Sequence, residues 1–240
     1  MQRTRIGWLA VATTGLLAVT GVTALAAGET VNTTVKASKV TKIKPSSPGQ
    51  SKFSWGFTIA KPDGSRAANL SSADLTLPKG TFVDTKGFQT CAQAKIEAND
   101  VNSCPAKSIV GHATADIYSS PIREQPYAST GVIYFTGMKG KTPQFTTYYT
   151  LVEIPSAHGL DAISISRSGA TSRIHMEQPH IPTAPGLPDA TPLDIHFNFD
   201  AKGAKGTLFR QAKPCKPGTK VPAKYGFYDG SSTSSSAKAC

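Results

Sequence analysis

The sequence is poor in charged residues. They make up 17% of the 240 residues and apolar residues 39%, against about 25% and about 45–50% in a typical soluble domain. This composition argues against a charged disordered protein and against a coiled coil. The chain also holds 21 glycines and 17 prolines, which interrupt it too often for an all-helical bundle.

The motifs of several chemistries are missing as well. The sequence contains no P-loop and no dinucleotide-binding fingerprint. It has no C-x-x-C pair and no H-E-x-x-H motif, which disfavours a zinc site. The string closest to a serine-hydrolase elbow, residues 165–169, lacks the first glycine of G-x-S-x-G. We interpret that string as a polar strand end followed by a turn.

Residues 1–27 predict a cleaved signal peptide. They combine a basic start at Arg3 and Arg5, an uncharged stretch over 6–26 and an A-x-A pattern at 24–26. The alternative is a retained membrane anchor, because about twenty apolar residues can span a bilayer. Threonines and glycines within the stretch favour cleavage. No later segment reaches 18 apolar residues, so the mature chain is predicted to have no transmembrane span.

Four cysteines remain after this leader: Cys91, Cys104, Cys215 and Cys240. An even number of cysteines in an exported chain indicates two disulfides. Three pairings are possible, and proximity in sequence favours Cys91–Cys104 and Cys215–Cys240.

Alternating apolar and polar residues predict many short strands. The clearest lie at 53–59 and 193–199, where aromatic and aliphatic residues alternate with small or polar ones. Five prolines between 179 and 192 exclude a helix and a central strand there. The one convincing helical stretch, 91–99, lies inside the predicted Cys91–Cys104 loop. We therefore predict an all-β protein, an antiparallel β-sandwich of the immunoglobulin-like or jelly-roll-like kind with one short helix.

The predicted organisation has four parts. Residues 1–27 are the signal peptide, and 28–50 form a basic N-terminal segment. Residues 51–230 form the sandwich domain, as one sandwich or as two packed sub-domains, which a single sequence does not distinguish. Residues 231–240 are a serine-rich tail tied to the body by Cys240.

Residues 74–118 carry motifs that resemble a known family. The segment contains Leu75-Thr-Leu-Pro-Lys-Gly80 and later Cys104-Pro-Ala-Lys-Ser-Ile-Val-Gly111. This pattern is similar to the LPxG…C…CPxxSxxG core of a functionally uncharacterised group of exported, β-rich actinobacterial proteins. The resemblance implies an exported β protein and supports the two favoured cysteine pairings. It brings no catalytic residues.

Positive charge is concentrated in two segments that contain no acids. Residues 30–62 hold six lysines, and residues 201–228 hold seven basic residues. Between them, residues 63–200 hold 10 basic and 13 acidic residues. Without Arg3 and Arg5 the mature chain has a net charge of +9. The excess charge therefore belongs to the two flanking segments.

This segregation predicts a surface that binds polyanions. Our leading hypothesis is an exported, non-enzymatic β-sandwich protein, either secreted or associated with the cell envelope, whose cationic flanks bind anionic cell-wall polymers or lipid headgroups. The alternative is that the lysines only keep the surface soluble. Low aromatic and arginine content argues against specific nucleic-acid recognition, and no cofactor is predicted. The residues expected to carry the attachment are Lys36, Lys39, Lys42, Lys44, Lys213, Lys216, Lys220 and Lys224.

Two other functions stay open. The first is a secreted hydrolase acting on cell-wall polysaccharide or lipid, which would need His175, His180 and His196 to converge with carboxylates in one cleft. The second is a ligand-carrying β module, which would need an apolar cavity large enough for a lipid. The polar residues of the 194–200 strand are ordinary for a solvated sheet face, so no metal site is predicted.

Overall fold

The computed structural model describes residues 28–37, 48–119, 125–182, 188–203, 206–216 and 218–239 of the chain. The predicted signal peptide, 1–27, lies outside the described residues. No helix in these ranges is both long and apolar enough to cross a membrane.

Strands dominate the described residues, so the prediction of an all-β protein is confirmed. The strands are β1 (Thr30–Ala37), β2 (Gly49–Ser51), β3 (Phe53–Ala60), β4 (Leu70–Thr76), β5 (Thr81–Val83), β6 (Ile109–Tyr118), β7 (Tyr127–Lys139), β8 (Thr142–Leu151), β9 (His158–Ser168), β10 (Thr171–Glu177), β11 (Thr191–Phe199), β12 (Lys202–Gly203), β13 (Gly206–Thr207), β14 (Phe209–Gln211), β15 (Thr219–Phe227) and β16 (Ser232–Ala239). One α-helix, α1 (Gln93–Glu97), and two 3₁₀ helices, Val101–Ser103 and Ala106–Ser108, lie between β5 and β6.

One antiparallel sheet of eleven strands nearly closes into a barrel. Its order is β1-β3-β11-β6-β7-β8-β9-β10-β4-β15-β16, and every neighbouring pair is antiparallel. Ten antiparallel steps separate the two edge strands, so β1 and β16 point in the same direction. They lie side by side along a seam, where the Thr33 hydroxyl hydrogen-bonds to the Ser235 hydroxyl and, at 2.6 Å, to the Tyr225 hydroxyl.

The predicted sandwich is not confirmed, because these strands belong to one curved sheet. Alternation of apolar and polar residues shows only that one face of a strand is buried. The buried faces can meet between two sheets or around one, and the pattern is the same in both cases. The difference depends on contact between the first and last strands, which are 202 residues apart at Thr33 and Ser235.

Two segments that the sequence places outside the domain contribute strands to the sheet. β1 lies in the predicted basic segment 28–50, and β16 lies in the predicted serine-rich tail 231–240. In β16 the inward residues Ala237 and Ala239 are buried, while the serines are partly or fully exposed. Serine is not among the residues enriched in strands. Pairing with β15 therefore defines this strand, rather than the preference of its residues.

The two strands predicted most clearly, β3 and β11, are neighbours and fill much of the interior. The Trp55 ring centroid lies 5.5 Å from that of Phe197, and the Phe57 centroid lies 4.9 Å from that of Tyr225. All four side chains are buried. Contacts of this kind add about 0.5–1.5 kcal/mol per ring pair beyond the burial of area.

A small sheet, β2-β14-β5, covers one end of the barrel. Phe209 on β14 is fully buried, and its ring centroid lies 4.6 Å from that of Phe53 and 5.3 Å from that of Phe199. The neighbouring Arg210 donates a hydrogen bond to the Pro48 carbonyl at 2.6 Å. We call this end, where β3 begins and β11 ends, the plugged end.

The predicted Cys91–Cys104 disulfide is present. Its loop lies on the outer face of β7 and β8, where Ile96 packs with Tyr134 and Tyr148 in a second small core. The predicted helix, 91–99, is shortened to α1. Asn99 ends it with a φ of 60°, the left-handed conformation common at helix ends.

The second predicted disulfide is described at one of its ends. Cys215 is disulfide-bonded, and its predicted partner, Cys240, lies outside the described residues.

Candidate functional site

A cavity occupies the interior of the barrel at the end away from the plug. Its volume is about 550 Å³, and small-molecule sites commonly measure about 300–1,000 Å³. Its walls come from β11, β6, β7, β8 and β9, together with the segments that follow β8 and β10. Most of the lining is apolar and includes Ile117, Tyr127, Leu151, Ile181 and Ile195.

Small inward residues leave this space unfilled. Ala115 on β6, Ser129 on β7 and Gly159 on β9 line the cavity, whereas the inward residues at the plugged end include aromatic rings. A Cβ atom added to Gly159 would have no atom within 4 Å. Alternate residues of a strand share a face, so Gly159 points to the same side as the buried Asp161 and Ile163. The side chain that Gly159 lacks would therefore enter the cavity.

Five buried polar side chains form what we call the inner polar cluster: Ser129, Thr147, Tyr149, Asp161 and Gln178. Each is at most 6% exposed, and Asp161 is 1% exposed. Thr147 lies directly opposite Asp161 across the β8–β9 pair, and the other four line the cavity.

The cluster is short of hydrogen bonds. Both carboxyl oxygens of Asp161 and the hydroxyl of Tyr149 lack a hydrogen bond of normal geometry, as do the hydroxyls of Ser129 and Thr147. A buried polar group without a partner costs about 1–3 kcal/mol, so native proteins keep few of them. Several such atoms facing one apolar cavity indicate a site built to meet a polar group from outside the chain.

Burial also changes the titration of the cluster. Removal from water raises the pKa of Asp161 to about 7, although the nearby Tyr149 and Gln178 side chains act to lower it. Burial and the adjacent Asp161 carboxyl together raise the pKa of Tyr149 well above its ordinary value of 10.0. Near neutral pH the carboxyl is therefore the group in the cluster that changes charge.

The described lining of the cavity contains few groups used in hydrolysis. Among the described residues that line the cavity, Asp161 is the only one with a carboxyl group, and glycosidases use two. His158 also borders the cavity, but its ring stacks on Tyr148, whose own ring packs on the outer face of the sheet.

The histidines considered for a hydrolase do not form one site. Nδ1 of His175 lies 3.1 Å from Asp74 Oδ1 and its Nε2 lies 3.4 Å from Glu177 Oε1, so both ring nitrogens face carboxylates. His180 has its Nδ1 2.5 Å from Asp189 Oδ2 and stacks on Tyr228.

The third histidine, His196, lies elsewhere. Its Nε2 is 3.2 Å from Asp194 Oδ1 on the outer face of β11, five positions from β10 in the sheet order. The structure therefore gives the hydrolase hypothesis no cleft in which the three histidines meet. In the described part of the chain, no group of three or more His, Cys, Asp or Glu side chains is placed to hold a metal ion.

The string at 165–169 has the predicted structure. β9 ends at Ser168, and Gly169, with a φ of 58°, lies in the turn to β10. Arg167 Nε donates to the Gly169 carbonyl at 3.0 Å.

Five of the lysines predicted to bind anions lie in the described residues, and all five are exposed: Lys36, Lys213, Lys216, Lys220 and Lys224. The other three, Lys39, Lys42 and Lys44, lie outside the described residues. Lys224 faces Asp74 across the β4–β15 pair, so an acid stands beside it. Lys213 and Lys216 lie between β14 and β15, near the plugged end.

Lysines from three strands meet on the outer face beside the seam. Lys220 is directly opposite Lys238 in the β15–β16 pair. Thr33 meets Ser235 across the seam, and the two strands run in parallel. Three residues further along each strand, Lys36 and Lys238 fall beside each other. We call Lys36, Lys220 and Lys238 the lysine row.

Comparison with known proteins adds no family. The chain matches no family model, no curated protein and no solved structure. The resemblance to the exported actinobacterial family therefore stays a prediction.

Reasoning from the sequence missed Asp161. The sequence pattern indicates this residue, because Asp161, Ile163 and Ile165 are alternate residues and so lie on the same, buried face of the strand. An acid on the apolar face of a strand is rarely buried without a partner. Tyr149 was visible as an aromatic strand residue, and the structure places it inside the barrel and Tyr148 outside.

Asp161→Asn is expected to remove a pH dependence of stability. The pKa of Asp161 is raised in the folded state, so the folded protein holds a proton that the unfolded chain has lost. Stability is therefore fully present below about pH 4 and is lost as the pH rises towards about 7. The loss amounts to roughly 4 kcal/mol at most. Tyr149, the titratable neighbour, stays neutral over this range.

Urea unfolding from pH 4 to pH 8 measures this effect. Asp161→Asn should flatten the slope and should be more stable than the wild type at pH 8. The matched control is Asp116→Asn, on the exposed face of β6. Equal slopes in the wild type and Asp161→Asn would show that the carboxyl is not buried.

Proposed function

We propose that this chain is an exported, non-enzymatic β protein that binds a small apolar molecule in its barrel cavity. The observation that carries the proposal is the cavity of about 550 Å³ with a mostly apolar wall. A packed protein interior leaves few voids larger than a water molecule, so a space of this size at one end of a barrel is a feature of the fold. The Cys91–Cys104 disulfide is compatible with an exported location.

The rim of the cavity supports the same function. Ile154 lines the cavity and is 42% exposed, and the nearby Val152 is 58% exposed. Exposed apolar side chains at the mouth of a cavity provide a surface on which an apolar molecule can leave water before it enters.

Gly159→Leu is expected to abolish binding without unfolding the protein. The added side chain enters empty space on the cavity wall, so it displaces the ligand rather than protein atoms. Titration with the neutral fluorophore N-phenyl-1-naphthylamine should give saturable enhancement with the wild type and at least tenfold weaker binding with Gly159→Leu. The control is Ala162→Leu, which places the same side chain on the exposed face of β9. Equal binding by all three proteins would place the probe outside the barrel and overturn the proposal.

We propose as a second function that the lysine row attaches the protein to a phosphate-bearing surface, such as a cell-wall polymer or a lipid headgroup. The supporting observation is that Lys220 lies directly opposite Lys238 and that the register of the seam places Lys36 beside Lys238, although like charges directly opposite in a sheet destabilise it. No ion pair is found for the three side chains among the described residues. An anionic partner would relieve this repulsion.

Replacing Lys36, Lys220 and Lys238 together by Gln should weaken attachment at least fivefold. Co-sedimentation with phosphatidylglycerol vesicles and retention on immobilised polyphosphate distinguish a lipid partner from a polymer. Both should weaken as salt rises from about 50 to about 200 mM, because mobile ions screen exposed charges. The control replaces Lys95, Lys107 and Lys139, exposed lysines on the disulfide-loop side of the sheet. Binding that persists at high salt, or that falls equally in both triple variants, would contradict attachment by the row.

A further inference from the structure

The inner polar cluster indicates which polar group a ligand of the cavity carries. Asp161 is 1% exposed, and both of its oxygens lack hydrogen-bond partners of normal geometry. An ionised carboxylate is an acceptor only, so a matching ligand must donate. The hydroxyls of Thr147 and Tyr149 lie beside the carboxyl and, like that of Ser129 in the cavity wall, lack a hydrogen bond of normal geometry.

We infer that the ligand of the cavity is an apolar molecule with a protonated amine, and that the amine binds at Asp161. This inference rests on the proposed binding function and names the ligand class. An alkylammonium group offers three N–H donors and one positive charge. It can therefore pair with the carboxylate and donate to neighbouring hydroxyl oxygens at the same time. An alcohol offers one donor and no charge, and a carboxylate offers no donor.

The cost of burying charge favours the same ligand. An isolated carboxylate in an apolar interior is strongly disfavoured unless it is paired and hydrogen-bonded. No basic side chain lines the cavity among its described residues, apart from the outward-turned His158. The ionised form of Asp161 therefore needs a positive partner from the ligand.

The overall positive charge of the protein disfavours the binding of a cation. The mature chain has a net charge of +9 and would attract anions and repel cations at its surface. A preference for an amine over a matching carboxylic acid therefore cannot come from the general field of the protein. It requires a local negative site.

The apolar wall of the cavity determines the hydrocarbon part of the ligand. Beyond the cluster the cavity is lined by aliphatic and aromatic side chains such as Ile117, Leu151 and Ile195. Burial of each methylene group contributes to binding through the hydrophobic effect. A linear or branched hydrocarbon body of moderate size fits both the volume and the wall.

Calorimetric titration of the disulfide-intact mature protein with 1-octylamine, 1-octanol and octanoate at pH 8 tests the inference. These probes share one hydrocarbon chain and differ in the head group. Octylamine is protonated at pH 8, as a lysine side chain is. We expect octylamine to bind at least tenfold more tightly than octanol, and octanoate to bind most weakly.

Asp161→Asn should reduce the affinity for octylamine at least tenfold and leave the affinity for octanol within about twofold. Asp116→Asn, on the outer face, should change neither. Far-ultraviolet circular dichroism and the N-phenyl-1-naphthylamine titration confirm that each variant is folded and keeps its cavity.

The outcomes separate the two proposals. If none of the three probes binds and the fluorophore does not either, the binding function itself is wrong. If the probes bind with equal affinity, or octanol or octanoate binds best, the cavity binds apolar molecules but the amine assignment is overturned. An octylamine affinity that Asp161→Asn leaves unchanged also overturns the assignment.

Discussion

The structure depends on the closure of one sheet around its own apolar face. An antiparallel sheet with one buried face must cover that face, and eleven twisted strands can do so by curling until the edges meet. Here the odd number of strands makes the meeting edges parallel. Among the described residues no backbone ladder joins β1 to β16, and the hydroxyls of Thr33, Ser235 and Tyr225 bridge the seam. Closure gives every strand an inside and an outside, and the two proposed functions divide between them.

The two ends of the barrel differ in the size of their inward residues. Aromatic rings and the small β2-β14-β5 sheet fill the plugged end, with Phe209 against Phe53. At the other end, small residues such as Ala115 and Gly159 leave a cavity that contains a buried carboxyl. The same curvature brings lysines from the first and last strands together on the outer face. The proposed ligand site lies inside the barrel, on β6 to β9 and β11, and the proposed attachment site lies outside, on β1, β15 and β16.

The sequence predicted the parts of this structure that depend on neighbouring residues. Alternation identified β3 and β11, and proximity identified the Cys91–Cys104 disulfide. Closure was not predictable, because it depends on contacts between residues such as Thr33 and Ser235 that are far apart in the chain. Without closure, β16 was interpreted as a tail, and the side-by-side placement of β1 and β16 was not predicted. Asp161 could have been identified because it shares a strand face with Ile163. That this face lines a cavity follows only from the closure of the sheet.

The proposed ligand site depends on a buried carboxyl inside the barrel that a ligand amine can reach. Carbon-13 NMR of the Asp161 side-chain carboxyl, assigned by comparison with Asp161→Asn, measures this directly. In the free protein the titration midpoint should lie near pH 7, because burial raises the pKa of this group to about 7. Saturation with octylamine should move the midpoint to lower pH, since a nearby positive charge favours the ionised form. A midpoint near pH 4 that octylamine does not change would show an exposed carboxyl and would rule out the proposed amine site.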